Sequence, residues 1–358
     1  MSFNYIPLLK LKQNEIQALR SLNKDSLEKI TPFFDIPRNL EDNSIDIIEQ
    51  KLKRGCSEIL KWWPREKKFY IDTFDLPTTF DSNGKNYYYN ILNTMAAADL
   101  LPVPVIAFNR DPSHNKSALQ FSIERNIKII AVRLDRQDIS DYFTFEQDIN
   151  STLPPDNDMV LDLILDLGVI QSDKDLRYSV DICREFIKDL DNAAVLKYRL
   201  LAISSSSIKK DFALPNREGT LPRYEYHIHN QEYAVKITYS DYGIVTPEYA
   251  DEAIAPQLIS RVSTPKVIYT GDSFYLFYRG GSFETHPSGR SQFFEISQKI
   301  VSTTTYRGSS FSEGDKFIQQ KSNRIGSPSS QGHWYKMLNN AHFEFIIENL
   351  RSFLVRSN

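Results

Sequence analysis

Eight short apolar segments recur along the first 240 residues, and an amphipathic stretch follows most of them. Each segment is rich in Ile, Val, Leu, Phe or Tyr, which is the composition of a buried strand. Between them, residues such as Ile45, Ile48, Leu52 and Ile59 recur close to the helical period. This alternation predicts parallel strands that are joined by helical crossovers. The predicted strands cover 5–11, 30–36, 68–74, 101–108, 128–134, 159–167, 197–204 and 233–240.

The number of strand–helix units selects between two α/β folds. Eight units over about 250 residues match the size of a (β/α)8 barrel. The competing fold, an open doubly wound sheet, usually carries a glycine-rich phosphate loop after a strand. The sequence contains no such loop. We therefore predict a TIM-barrel-like (β/α)8 fold.

The pattern changes after Thr246. The segment "KVIYTGDSFYLFYRGG", residues 266–281, predicts an antiparallel hairpin that turns at Gly271 and Asp272. Three predicted helices follow the hairpin, and a Ser- and Gly-rich segment, 322–332, separates the last two. We expect a barrel domain over 1–250 and a hairpin and helical elaboration, packed on the barrel, over 251–358.

Charge and cysteine content narrow the class of protein. The chain has 43 Lys and Arg against 46 Asp and Glu, so its net charge of −3 argues against nonspecific nucleic-acid binding. Cys56 and Cys183 are the two cysteines, and we expect them to be reduced thiols. No apolar run approaches the roughly 18 residues of a membrane span, and no signal-peptide pattern begins the chain. We expect a cytoplasmic protein with no membrane partner and no direct nucleic-acid partner.

Charged and polar side chains cluster at the predicted strand ends. The carboxyl ends of barrel strands converge on one mouth, so these side chains are candidates for a site. A charge within an apolar run is costly unless it is paired or solvated. We expect Lys10 or Lys12 to form an ion pair with at least one of Asp35, Asp72 and Asp166. The simpler alternative is that these charges are solvated at the strand ends. The predicted catalytic residues are Asp35, Asp72, Asp166, Lys10, Lys12 and Arg133, and the predicted substrate-binding residues are Arg199, Ser204, Asp241, Tyr242, Arg279 and His333.

Carboxylates beside lysines and arginines suit a phosphate ester or a nucleotide, and they are compatible with a divalent cation. The sequence identifies no cofactor and no set of metal ligands. The loop after the seventh strand, "SSSSIKK" at 204–210, could hold an anion through hydroxyls, backbone N–H groups and lysines, or it could be a flexible serine loop. His227 and His229 are spaced to share one strand face, but no third zinc ligand is evident.

The opening stretch, "YIPLLKLKQNEIQALRSL" followed by "ITPFFDIPR", closely resembles the start of the phage beta-protein family. Further similar segments are "YIDTFD", "LDLILDLG", "YRLLAISSSSI" and "YSDYGIVTP", so the resemblance spans nearly the whole chain. The resemblance implies a barrel-like fold and a role in phage–host conflict, with anti-phage defence as the expected form. The resemblance does not indicate which reaction, if any, the protein catalyses.

Two classes of function therefore stay open. The first is a barrel enzyme, hydrolase-like, that acts on a phosphate- or nucleotide-containing substrate at the strand ends. The second is a non-catalytic sensor or scaffold subunit of a defence complex. This second class would contact partner proteins through the C-terminal elaboration and the segment 322–332.

Overall fold

A closed barrel of eight parallel strands forms the centre of the protein. The computed structural model describes residues 5–39, 42–154, 158–193, 198–209, 218–231, 237–248 and 263–356. The barrel closes where the first strand pairs in parallel with the last, with Tyr5 opposite Tyr239. This closure confirms the predicted TIM-barrel-like fold and excludes the open sheet. In barrel order the strands are β1 (Tyr5–Lys10), β2 (Phe33–Asp35), β3 (Lys68–Asp72), β4 (Leu101–Ile106), β5 (Ile129–Leu134), β6 (Val160–Val169), β7 (Tyr198–Ser206) and β9 (Thr238–Asp241).

Helices connect and cover the strands, and local capping fixes several of their ends. Asp111 accepts a hydrogen bond from the Ser113 backbone N–H, and Pro112 supplies the first helical residue of α5. Asp135 and Asp138 form a capping box that starts α6. The helices are α1 (Gln13–Arg20), α2 (Lys24–Glu28), α3 (Ile45–Leu60), α4 (Tyr88–Ala97), α5 (Pro112–Glu124), α6 (Arg136–Ser140), α7 (Tyr142–Thr152), α8 (Asp173–Ala193), α9 (Tyr224–His229), α10 (Gln292–Val301), α11 (Glu313–Ser322) and α12 (Gln331–Arg356), with a 3₁₀ turn at Gly289–Ser291 before α10.

The side chains of the barrel strands alternate between two cores. Ile6 and Leu8 of β1 belong to the small core inside the barrel, together with Phe33 and Tyr70. Leu9 belongs to the larger core between the strands and the surrounding helices. Because alternate strand residues point to opposite faces, this division also decides which charged side chains reach the interior.

The C-terminal elaboration is a three-stranded antiparallel sheet with helices. The predicted hairpin is confirmed as β10 (Lys266–Thr270) and β11 (Phe274–Arg279). A further strand, β8 (Glu218–Pro222), pairs with β11 and was not predicted. Since β8 lies between two barrel strands in the sequence, the sheet crosses the boundary that the sequence suggests at residue 250.

Three further sequence expectations meet the structure here. Cys56 and Cys183 are buried free thiols on α3 and α8. His227 and His229 lie on the helix α9, so the expectation that they share a strand face is wrong. Over the described ranges, no helix combines the length and the hydropathy that crossing a bilayer requires.

Candidate functional site

Arg133, on β5, lies inside the barrel in contact with three carboxylates. Its Nη1 donates to Asp35 Oδ1 at 2.7 Å and to Asp72 Oδ2 at 3.0 Å. Its Nε donates to Asp166 Oδ2 at 2.8 Å, and its Nη2 donates to the Tyr242 hydroxyl at 3.1 Å. The structure thus brings together five of the residues that the sequence assigned to the mouth.

Aromatic rings enclose this cluster. The Arg133 guanidinium lies 5.3 Å from the ring centre of Phe33 and 4.3 Å from that of Phe74. Phe74 is 42% exposed, whereas Arg133 is only 3% exposed. The guanidinium occupies the position between the carboxylates that a cation would need. Within the described parts of the chain, no group of three or more His, Cys, Asp or Glu side chains is arranged to hold a metal ion.

The surroundings of Asp35 and Asp72 shift the pKa of these two carboxyls in opposite directions. Burial raises the pKa of Asp35 to about 6, although Arg133 opposes the shift. Burial also disfavours the charged form of Asp72, but the charges of Arg110 and Arg133 outweigh it and hold its pKa well below its usual range. Arg110 Nη2 donates to Asp72 Oδ2 at 2.8 Å. Asp72 therefore stays ionised, whereas Asp35 takes up a proton more readily than Asp72 does.

Arg199 lies at the other end of the barrel from the mouth. It is the second residue of β7, and its guanidinium pairs with Asp162, with Nε 2.9 Å from Oδ1. The Tyr70 hydroxyl donates to the same carboxylate at 2.9 Å. A residue that begins a strand lies at the amino end of the barrel, so Arg199 is not at the mouth, and its role in substrate binding stays a prediction.

Asp241 also lies outside the predicted site. It faces the helical layer, while its neighbour Tyr242 faces the barrel interior. Asp241 Oδ2 lies 2.8 Å from His342 Nε2, and its Oδ1 accepts from the Tyr5 hydroxyl at 2.5 Å. His342 Nδ1 in turn lies 2.8 Å from Thr270 Oγ1. All of these groups are buried. This network joins the barrel to the elaboration.

His333 is the third residue that the structure places away from the mouth. It is exposed near the start of α12, where its ring packs 5.0 Å from that of Phe317. Among the described residues, the Arg133 cluster has no hydrogen bond or ion pair with His333. Substrate binding by His333 stays a prediction.

The serines after the seventh predicted strand continue that strand as far as Ser206, so they are not an open phosphate loop. Ser204 lies opposite Asp166 in register, and its buried Oγ has no hydrogen-bond partner among the residues that the structure describes. Ser207 Oγ donates to Glu225 Oε2 at 2.5 Å. Lys209 does reach the surface, where Nζ donates to the Gln171 carbonyl at 3.0 Å. Lys210 lies outside the described residues.

A cavity of about 430 Å³ lies between the barrel mouth, the hairpin and α12. Segments far apart in sequence line it: the turn between β1 and α1, the ends of β7 and β9, the hairpin and α12. Among the charged residues that line it in the described chain, five are basic and one is acidic. They are Lys10, Lys12, Lys209, Lys266, Arg279 and Glu15.

Lys10 and Glu15 meet at the base of this cavity. Lys10 Nζ donates to the carbonyls of Thr246 at 3.3 Å and Glu248 at 3.2 Å, and Glu15 accepts from the Lys10 backbone N–H. Burial raises the pKa of Glu15 to about 7 and lowers the pKa of Lys10. Glu15 is therefore only partly ionised near neutral pH, and it offsets little of the positive charge around it.

Among the ion pairs of the described residues, none joins Lys10 or Lys12 to Asp35, Asp72 or Asp166. The ion pairs of the three aspartates run instead to Arg133, Arg110 and the ring of His114. Lys10 is the register neighbour of Asp35, but Arg133 already occupies that carboxylate. The lysine reaches the loop after β9 instead.

Some of the residues that line the cavity were predicted from the sequence, and others were not. Lys10, Lys12 and Arg279 were predicted, whereas Lys266 and Tyr335 were not. The predicted hairpin carries the signal for Lys266, because its antiparallel register sets Lys266 directly opposite the predicted residue Arg279.

Comparisons with known proteins give a family but no close relative. No curated protein matches the chain. A crystal structure of a type I 3-dehydroquinate dehydratase from Clostridium difficile, with covalently modified comenic acid, is similar over 73% of this chain and 91% of that chain, at 12% identity and a TM-score of 0.38. The Bacillus cereus spore cortex-lytic enzyme SleL is similar over 94% of this chain and 74% of that chain, at 9% identity and a TM-score of 0.33. The family model described as Beta protein matches residues 5–348, and the chain belongs to that family.

Proposed function

We propose that this protein binds an anionic, phosphate-bearing small molecule in the basic cavity over the barrel mouth. The observation that carries the proposal is the convergence of five basic side chains on one cavity of about 430 Å³. The whole chain has a net charge of −3, so the positive charge is a local feature of this site. A cleft lined by one sign of charge concentrates ligands of the opposite sign.

The size and chemistry of the cavity favour a small phosphate compound. Small-molecule sites commonly enclose about 300–1,000 Å³. Lysine ammonium groups and an arginine guanidinium are the side chains that proteins use to hold phosphate oxygens.

The groups available for chemistry on such a ligand differ from those that the sequence suggested. Asp35, Asp72 and Asp166 are buried against Arg133 and do not line the cavity. Lys10 and Glu15 do line it. Burial lowers the pKa of Lys10 and raises that of Glu15, so each shift favours the neutral form of the group. Groups whose pKa lies nearer neutrality are suited to proton transfer. We assign to Lys10 and Glu15 any acid–base step in a hydrolase-like reaction.

The test is a charge reversal that separates folding from binding. Arg279→Glu places a carboxylate opposite Lys266, so we expect the free energy of unfolding to hold or rise while pyrophosphate affinity falls at least tenfold. Lys53→Glu is the control, because Lys53 is exposed on α3 and distant from the cavity lining. Titration calorimetry and thermal shift measure both quantities, since a ligand at 100 times its Kd adds about 2.7 kcal/mol of stability. The proposal fails when pyrophosphate does not bind the wild-type protein, or when both variants bind it equally well.

The role in phage–host conflict, and any partner proteins in a defence complex, are proposals that rest on the family resemblance. The same two variants test them in cells that are challenged with phage. Loss of protection with Arg279→Glu but not with Lys53→Glu would support a ligand-dependent role. Protection that survives both changes would favour the sensor or scaffold alternative.

A further inference from the structure

The cavity has an apolar wall as well as a basic rim. In the register of the hairpin, Lys266 pairs with Arg279 at the open end, and two positions further Ile268 pairs with Phe277. Side chains two positions apart on a strand point to the same face. One face of the hairpin therefore presents a charged pair followed by an apolar and aromatic pair, and all four residues line the cavity.

The opposite wall of the cavity repeats this polarity. Tyr335 of α12 and Ile244 after β9 line the cavity, and Lys10, Lys12 and Lys209 contribute its other cations. Tyr335 is half-buried and Ile244 is buried. Apolar surface that lines a pocket favours an apolar or aromatic body on the ligand.

We propose that the ligand is an aromatic phosphate of mononucleotide size, with its ring between Phe277 and Tyr335 and its phosphate at the basic rim. This inference rests on the proposed function and names the class of ligand for the same cavity. Any of the nucleic-acid bases can stack on an aromatic side chain, because every base offers a π-face. The phosphate lies where Lys266 and Arg279 face each other.

The first experiment compares three probes on the wild-type protein by titration calorimetry. They are adenosine 5′-monophosphate, ribose 5-phosphate and adenosine, which carry both features, the phosphate alone and the ring alone. We expect the monophosphate to bind at least tenfold more tightly than either partial probe. Equal affinity for the monophosphate and ribose 5-phosphate would overturn the aromatic inference and leave the proposed function standing. Failure of both phosphate probes to bind would overturn the proposed function itself.

The second experiment assigns the ring to its wall. Tyr335→Leu should remove the advantage of adenosine monophosphate over ribose 5-phosphate and leave the ribose 5-phosphate affinity within about twofold. Tyr335→Phe keeps the ring and should retain that advantage. Arg279→Glu should weaken both phosphate probes without changing adenosine binding. A Tyr335→Leu protein that folds and still prefers the monophosphate contradicts the placement of the ring.

Discussion

Arg133 forms ion pairs with three carboxylates that lie together inside the barrel. It donates to Asp35, Asp72 and Asp166 from a rigid, planar guanidinium, whereas a lysine ammonium would offer its three donors from one nitrogen at the end of a flexible stem. Removing one partner of a buried ion pair leaves uncompensated charge, which costs about 3–5 kcal/mol. We therefore regard the cluster as a structural element of the mouth.

The corresponding prediction concerns Arg133→Met. We expect it to lower the free energy of unfolding by about 3–5 kcal/mol in urea denaturation, because the aspartates lose their shared donor. Arg184→Met is the control, since Arg184 forms an exposed pair with Asp181 that contributes about 0.5 kcal/mol or less. Where Arg133→Met does not fold, Arg133→Lys should still fold, with an intermediate stability. Equal stability of the Arg133 and Arg184 variants would contradict a structural role for the cluster.

At the residue scale, the sequence predicted that charges would meet but not which of them would pair. Strand ends place Asp35, Asp72 and Arg133 at one mouth, and this much follows from position in the repeat. The partner of each carboxylate depends on side-chain reach across the barrel. Arg133 is long enough to reach Asp35 across the barrel, and Lys10 bonds to the carbonyl of Thr246.

Helices α11 and α12 approach each other closely at Gly314. A Cβ at this position would lie 2.1 Å from the Met337 carbonyl oxygen and 2.8 Å from Ala341 Cβ. The Gly314 backbone N–H also donates to Asn340 Oδ1 at 2.9 Å. Since the nearest atom belongs to the backbone, no side-chain rotation relieves the clash. The missing side chain at Gly314 therefore sets the spacing of the two helices.

Gly314→Ala should therefore destabilise the protein, although alanine normally favours a helix. We expect a loss of about 1–3 kcal/mol in the free energy of unfolding, because the helices must move apart. Lys316→Ala on the same helix is the control, and we expect it to change stability by about 0.5 kcal/mol or less, because Lys316 is exposed. Chemical denaturation of both variants measures the difference. An unchanged or raised stability of Gly314→Ala would show that the contact yields at little cost.

Elements with a strong pattern were predicted, and elements that depend on their neighbours were not. All eight barrel strands follow from apolar runs of β-branched and aromatic residues. Strand β8 has the sequence EGTLP, mostly exposed, and it is held by pairing with β11. His227 and His229 alternate as in a strand, but tertiary packing of α9 decides their conformation.

At the scale of the whole molecule, α12 belongs to two cores. Trp334 and Leu338 pack with the hairpin and α10, whereas Phe343 and Ile346 pack with the barrel helices. Strand β8 provides a second connection, because it leaves the barrel sequence to complete the hairpin sheet. Elements that are shared in this way couple the folding of the two regions.

We therefore expect barrel and elaboration to unfold in one transition. Calorimetry of the full chain should show one peak whose calorimetric and van't Hoff enthalpies agree. His342→Leu should lower the temperature of that single peak, with a loss of about 3 kcal/mol, because it leaves the buried Asp241 charge without its partner. Burial opposes ionisation of Asp241, but His342 and the Tyr5 hydroxyl hold its pKa at about 2, so Asp241 is ionised at neutral pH.

The matched control for this experiment is His333→Leu, on the same helix but exposed, which should leave the transition unchanged. Two separate peaks in the wild-type protein, or a second peak that appears only with His342→Leu, would show that the division at residue 250 marks independently folding domains. A single peak that shifts as a whole would mean that the cavity between barrel, hairpin and α12 is assembled in the same cooperative step as the barrel. The ligand site would then exist only in the fully folded chain, so a ligand that binds it would stabilise the barrel and the elaboration together.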